Sequence, residues 1–496
     1  MAKPDLHAFF YPDSVAVIGA SASPGKVGHT IVANMIEAGY KGRLIPVNPK
    51  ADVIEGLDVV HQTADLPQGL DLAVISVPRK FVVPSLKDLA AIGCKAAIVI
   101  TAGFKEVGKE GYYLEQELVE IAREHSMALL GPNCLGMMNT GHGVNASFAA
   151  GQPSPGSIAF FSQSGALCVA ILDWALGENI GFSKFISLGN KAALDEASML
   201  RYLAEDADTN VILGYIENVE HGQRFLDEAA KVSRHKPVVM IKSGTTAAGA
   251  KAASSHTGAI AGSDQAYTEA FRRTGVIRVA DVASLFNLAE AFSNQPLPAG
   301  PNLAVVTNSG GPGILAADAT EKSRLHMATL TQPTIQRMQE FLPPYAALYN
   351  PIDIIGDADA QRYKKTLDVV MDDPNVHSVL VVLTPTASVD VEGTAKAVVN
   401  AAKRTDKPVF CCFMGKKRVG PGRAILQEAG IPCYGFPEPA VASIETMYLY
   451  GLWTKKPEPE YPAIERDLDA ARRVVDEAKA KNAHEIVEFE AQAMLQ

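Results

Sequence analysis

The sequence predicts an α/β protein built from three doubly wound units, and three observations carry that prediction. An apolar run, a Gly/Ser-rich turn and a helix-length segment follow one another at SVAVIGASAS from Ser14, at SIAFFSQSGA from Ser157 and at LAVVTNSGGPG from Leu303. Behind each start, short apolar runs alternate with helical stretches, the pattern of a mostly parallel sheet with strands buried on both faces. The chain has 496 residues, room for about three domains of 100 to 200 residues, each with its own core.

The elements follow in order. After Ser14 the strand candidates are 43–49, 70–78, 95–104 and 127–133, separated by segments such as KEGYYLEQELVEIAREH. The second unit continues through 182–190, 210–218, 236–244 and 275–281, and the third through 378–386, 407–415 and 431–436. Gln152–Gly156 and QPLPAGP (295–301) interrupt regular structure and are the expected joints. They divide the chain into domains 1–150, 151–298 and 299–455. Beyond KKPEPEYP the sequence is charged and Ala-rich, so 456–496 is expected to form a charged helical tail.

Composition narrows the function classes. Lys and Arg number 45 against 55 Asp and Glu, a formal charge of −10, which argues against a broad footprint for nucleic acid or an anionic membrane. No apolar stretch approaches the roughly 18 residues a membrane span needs, and the N-terminus lacks signal-peptide architecture. The expected location is the cytoplasm. The six cysteines show no metal-ligand spacing, as a reducing compartment predicts, and no metal site is expected.

The turns carry the chemistry. Gly19-Ala20-Ser21-Ala22-Ser23-Pro24-Gly25-Lys26 follows a strand and opens a helix, so its amides and the helix start suit an anion. Ser21 and Pro24 stand where G-x-G-x-x-G needs its second and third glycines, and Asn48-Pro49-Lys50 replaces the acidic residue that binds a ribose diol. That disfavours NAD. Lys50 suits a ligand with an extra ribose phosphate, as in NADP or coenzyme A; tight-turn glycines and a surface lysine are the plain alternative. Ser162-Gln163-Ser164-Gly165 precedes a second helix start that favours phosphate, or is an ordinary cap. Ser243–Gly262 is almost entirely Gly, Ala, Ser and Thr around one histidine, His256, and reads as a loop. The His256 ring could attack phosphorus if a carboxylate held its other nitrogen, and Glu217, at a strand end, is the candidate. A loop histidine and a solvated strand-end carboxylate remain the bland reading of both.

Taken together, these segments resemble the α subunit of ADP-forming acyl-CoA synthetases of the acetate–CoA ligase type, within the succinyl-CoA synthetase superfamily. The resemblance runs over about residues 10–450. It rests on VAVIGASASPGKVG, Ser76-Val77-Pro78, Ile100-Thr101-Ala102-Gly103-Phe104, Gly131-Pro132-Asn133-Cys134-Leu135-Gly136, Ser162-Gln163-Ser164-Gly165, Ser187-Leu188-Gly189-Asn190, Ser255-His256-Thr257-Gly258-Ala259 and Thr307-Asn308-Ser309-Gly310-Gly311-Pro312-Gly313.

The resemblance implies a Rossmann-like CoA-binding domain followed by two flavodoxin-like domains. It implies that CoA meets Gly19, Ser21, Ser23, Gly25, Lys26, Lys50, Ser76, Val77 and Pro78. The phosphate and acyl site would be Asn133, Ser162, Gln163, Ser164 and Gly165, with His256 the phosphorylated histidine and Glu217 its orienting carboxylate. ADP or ATP, with Mg, would be held by a separate ATP-grasp β subunit in an α2β2 complex, and the substrates would be a small carboxylic acid and CoA. A CoA-sensing regulatory protein and an NADP-dependent oxidoreductase are the competing classes. The acyl group, ADP against GDP, and the direction of flux are not encoded in any motif.

Overall fold

A computed structural model describes residues 6–249, 251, 263–457 and 468–481, with 483, 485–488, 491 and 492. The expected site residue His256 lies outside the described residues. By its contacts the chain divides into Met1–Thr454 and Lys455–Gln496. The second unit contains the helix Leu468–Ala480. Among the described residues no helix is long and apolar enough to cross a membrane.

The first sheet takes its five parallel strands from the first group of apolar runs: Ser14–Ile18, Arg43–Val47, Leu72–Ile75, Ala96–Val99 and Ala128–Leu130. Their order across the sheet is second, first, third, fourth, fifth. Helices cover both faces, so Val15, Val17, Ala73, Val74, Ala97 and Ile98 are fully buried, and the runs are apolar without alternation. Strand order reverses beside the first strand, which opens a crevice above the carboxyl ends of strands one and three.

The second sheet repeats that order with Pro155–Ser162, Phe182–Ser187, Val211–Ile216, Val238–Lys242 and Ile277–Val279. Its edge is extended by an antiparallel hairpin, Gly136–Asn139 and Val144–Ser147, paired to the strand Phe182–Ser187. The sheets therefore part after Leu130, not at residue 150 as the sequence predicts. The hairpin lies before the Pro/Gly-rich joint but finds its hydrogen-bonding partner beyond it. Both sheets share one buried cluster, in which Val15 and Ile98 belong with Phe161, Ile186 and Ile212.

In the third sheet Asn302–Thr307, Ser378–Leu383, Val409–Phe413 and Cys433–Tyr434 run parallel, while His326–Met327 and Ile352–Asp353 line the other side of the first strand. A second buried cluster joins it to the middle sheet through Phe160, Leu285, Leu303 and Ile444. Each such buried side chain contributes about 1.5–3 kcal/mol. The turn after its first strand repeats the middle one: the Ser309 amide donates to Thr307 Oγ1 at 3.0 Å, as the Ser164 amide donates to Ser162 Oγ at 3.0 Å.

Candidate functional site

The expected CoA residues gather at the carboxyl edge of the first sheet. Gly19 has φ +89°, and a Cβ there would press on the Ser76 carbonyl oxygen and Val77. The close helix-to-strand approach missing from Pro24 is supplied by Gly28, where a Cβ would collide with the Gly19 carbonyl oxygen. Ser21 Oγ accepts the Ser23 amide at 3.1 Å, and Asn48 Nδ2 donates to the Ala20 carbonyl at 2.6 Å, tying the second strand end to the first turn. The same asparagine accepts the Lys50 amide at 2.8 Å, and Lys50 itself is exposed. Helix Val27–Glu37 starts at Lys26 with no side-chain cap, and a Cβ at Gly25 would meet nothing within 4 Å. This open rim fits an anionic ligand. Val77 accepts from Thr101 Oγ1 at 2.6 Å, and Pro78 ends the third-strand turn.

The second sheet supplies a different kind of edge. Ser162 is buried, and its hydroxyl donates to the Ser164 carbonyl at 3.0 Å. Ser164 caps helix Gly165–Gly177 by accepting the Leu167 amide at 3.3 Å. Gln163 is committed to the next strand end: its Oε1 accepts the Glu217 and Asn218 amides at 2.8 and 3.1 Å, and its Nε2 donates to the Asn218 carbonyl at 2.8 Å. Its amide thus positions Glu217, which is 7% exposed. Both of its polar atoms are occupied in doing so.

Around these residues runs a charged network that the sequence motifs do not announce. Asn190 donates through Nδ2 to Glu106 at 2.6 Å and Glu115 at 2.8 Å, and its Oδ1 accepts from Asn133 Nδ2 at 3.2 Å. Burial pushes the Glu106 carboxyl up, but hydrogen bonds from Asn190 and from the Gly103 and Phe104 amides outweigh it, leaving the group below the usual carboxylate range. Burial prevails at Glu115, raising it against Asn190 and Lys105, and at Glu196, raising it against Lys191. Lys191 lies 3.3 Å from Glu196 and donates to the Asn218 carbonyl at 2.9 Å. Lys105 reaches Glu220 at 3.1 Å. The available signal was position: Lys105-Glu106 directly follows Phe104, and Lys191 follows Asn190. Gly189, at φ +58°, lets this loop approach the Pro132 carbonyl oxygen.

A cavity of about 800 Å³ opens between the two edges. Ser76, Asn133, Gln163, Ser164, Gly165 and Glu217 line it together with Val27, Lys105, Glu106, Asn190 and Lys191. Gly19, Ser21, Ser23, Gly25, Lys26, Lys50, Val77, Pro78 and Ser162 do not line it; the first-sheet rim leads toward it through Val27 and Ser76. Among the described residues no group of three or more His, Cys, Asp or Glu side chains is placed to hold a metal. The arrangement can bring an anionic carrier in over the first sheet and present its far end to a capped helix start, an asparagine amide and a buried carboxylate.

Known proteins resemble this chain along nearly its whole length. Residues 13–140 match a CoA binding domain, 155–292 a succinyl-CoA ligase like flavodoxin domain, and 303–455 a ligase-CoA domain. The chain is 44% identical to an ADP-forming acetate–CoA ligase of Archaeoglobus fulgidus over 97% of this chain and 67% of that one. It is 40% identical to the alpha subunit of an ADP-forming acetate–CoA ligase of Pyrococcus furiosus over 91% of this chain and 99% of that one. The solved acetyl-coenzyme A synthetase 1 of Ca. Korarchaeum cryptofilum, in complex with phosphate and ADP, superposes with a TM-score of 0.87 at 38% identity. It covers 91% of this chain and 97% of its own.

Proposed function

Because the chain belongs to the ADP-forming acetate–CoA ligase family, we propose that it carries the CoA and acyl chemistry of the reaction acyl-CoA + ADP + phosphate ⇌ carboxylic acid + CoA + ATP. One observation supports this most: the Ser164–Gly165 helix start, Asn133 and Glu217 come from two sheets yet line one cavity, at the end of the rim that fits CoA. Family membership leaves the NADP-dependent oxidoreductase without support.

In the proposed sequence the CoA phosphates lie along the Gly19–Lys26 rim, with Lys50 beside the ribose phosphate, and the thioester reaches Asn133. Phosphate rests against the amides at the start of helix Gly165–Gly177, whose positive end offsets its charge. A phosphate oxygen attacks the thioester carbonyl, the carbon–sulfur bond breaks, and CoA leaves as the thiolate while an acyl phosphate forms. The His256 imidazole then attacks phosphorus, the bond to the acyl oxygen breaks, and the carboxylate departs. Glu217 accepts a hydrogen bond from the proton-bearing ring nitrogen of His256 and so leaves the other nitrogen nucleophilic. Phosphohistidine finally passes its phosphoryl group to ADP. A covalent carrier separates two sites that cannot coincide.

Relatives named as alpha subunits point to a separate partner chain. We place the nucleotide, with Mg, on an ATP-grasp partner in an α2β2 assembly. The test is reconstitution: purified chain mixed with its cognate partner should form ATP from an acyl-CoA, ADP and phosphate, while neither component alone does so. Turnover by the rigorously purified chain alone would refute the placement of the nucleotide. No ATP from the mixture with any acyl-CoA would refute the reaction.

A further inference from the structure

The cavity is polarised, and its apolar side is exposed in a way that calls for a ligand. Phe148 is 37% and Val169 42% exposed, and both face the cavity. Large apolar side chains left open at a concave surface with a few convergent polar groups are the usual lining of a small-molecule pocket. These two are neighbours of one structure. The Phe148 amide donates to the Leu135 carbonyl at 3.3 Å, the Leu135 amide donates to Ser187 Oγ at 3.0 Å, and a Cβ on Gly165 would lie 4.0 Å from the Leu135 nitrogen. Val169 stands four residues after Gly165 in the same helix, so both share a face.

We infer that Leu135, Phe148 and Val169 form the wall against which the acyl group packs, and that Val169 sets the bulk of acid the protein accepts. The inference rests on the function proposed above. CoA enters over the first sheet by Val27 and Ser76, and the thioester reaches Asn133. Leu135 follows Asn133 by two residues and Val169 follows the helix start at Gly165 by one turn, so the wall flanks the place where the thioester and the phosphate would meet. The wall has no charged side chain. Among the described residues that line the cavity there are two lysines and no arginine, and Lys105 is held by Glu220 and Lys191 by Glu196. The acid that fits is therefore a monocarboxylate with an uncharged tail. A second carboxylate would be buried without a counter-charge.

The experiment compares wild type, Val169→Ala and Val169→Phe, each with the partner chain, on acetyl-, isobutyryl-, phenylacetyl- and succinyl-CoA. It is paired with calorimetric binding of the same thioesters and of free CoA to each chain. Val169→Ala should raise kcat/KM for phenylacetyl-CoA relative to acetyl-CoA by about tenfold, the effect of a methylene-sized change in an apolar pocket. Val169→Phe should shift the ratio the other way, and the binding constants should move in the same sense. A change by one common factor for free CoA and all thioesters would place Val169 against the carrier and overturn the inference. So would wild-type turnover of succinyl-CoA equal to that of the uncharged acyl groups. A wild-type complex inactive on every thioester would instead refute the proposed reaction, and the inference with it.

Discussion

The cavity between the first and second sheets and the cavity between the second and third are similar in size, about 800 and 640 Å³, yet they are built differently. The first stands at carboxyl ends of strands, and its polar side chains are bonded to one another and to the carboxylates behind them: Asn190 bridges Glu106 and Glu115, while Lys191 joins Glu196 to Asn218. The second runs along the amino end of strand Pro155–Ser162, where Glu178, Glu290 and Arg423 meet. There burial pushes the Glu290 carboxyl up to about 7, Arg423 only partly opposing it and Glu178 adding to it. Volume alone does not distinguish the two cavities. Strand polarity and convergent, mutually bonded groups do, because strand carboxyl ends and helix starts gather the backbone dipoles and loops a ligand needs.

Substitutions sharpen that contrast. The largest effect is expected from Glu217→Gln, which keeps shape but removes the carboxylate; ATP formation by the reconstituted complex should slow by about 10² to 10⁴, and single-turnover phosphorylation should slow with it. Lys191→Met should act through the fold. It strands the buried Glu196, so urea unfolding should report a loss on the order of 3–5 kcal/mol. Lys50→Glu, on the rim, should weaken CoA by up to about fivefold by calorimetry while sparing dephospho-CoA, since an exposed ion pair is worth about 0.2–1 kcal/mol. Equal losses for both ligands would remove Lys50 from the ribose phosphate.

The smallest effect belongs to the second seam. Glu290 has a folded pKa of about 7 against a usual 4.5, so its native state favours the protonated form. Its contribution to stability is full below pH 4.5 and is lost as pH rises through 7. Glu290→Gln, neutral throughout, should raise Tm by a few degrees at pH 8 and hardly at all at pH 4, and it should not reduce turnover. An equal shift at both pH values would contradict the titration, and a loss of turnover would make this cavity part of the site.

Much of this arrangement was readable from sequence, for physical reasons. Strands buried on both faces are written as unbroken apolar runs, so Val15–Ile18 and Leu72–Ile75 could be placed from their residues alone. The hairpin 136–147 could not, because Met137, Met138 and Val144 carry no signal saying which sheet they join. Gln163 was legible as a residue of the phosphate turn but not as the clamp on Glu217, since that role depends on a strand end 54 residues away. Gly28 took over a packing role that spacing assigned to position 24. Glu106, Glu115 and Lys191 escaped notice because charged side chains look solvent-facing until topology half-buries the first and buries the other two.

We propose that the cavity between the first two sheets passes a phosphoryl group to His256. This transfer is tested most directly by incubating the reconstituted complex with radioactive ATP and counting acid-labile, base-stable label on this chain, in wild type and in His256→Asn. Wild type should carry the label and lose it on adding ADP, whereas His256→Asn, still binding CoA and its partner, should carry none. Label of equal amount and stability on His256→Asn would assign the relay to another residue and contradict the account.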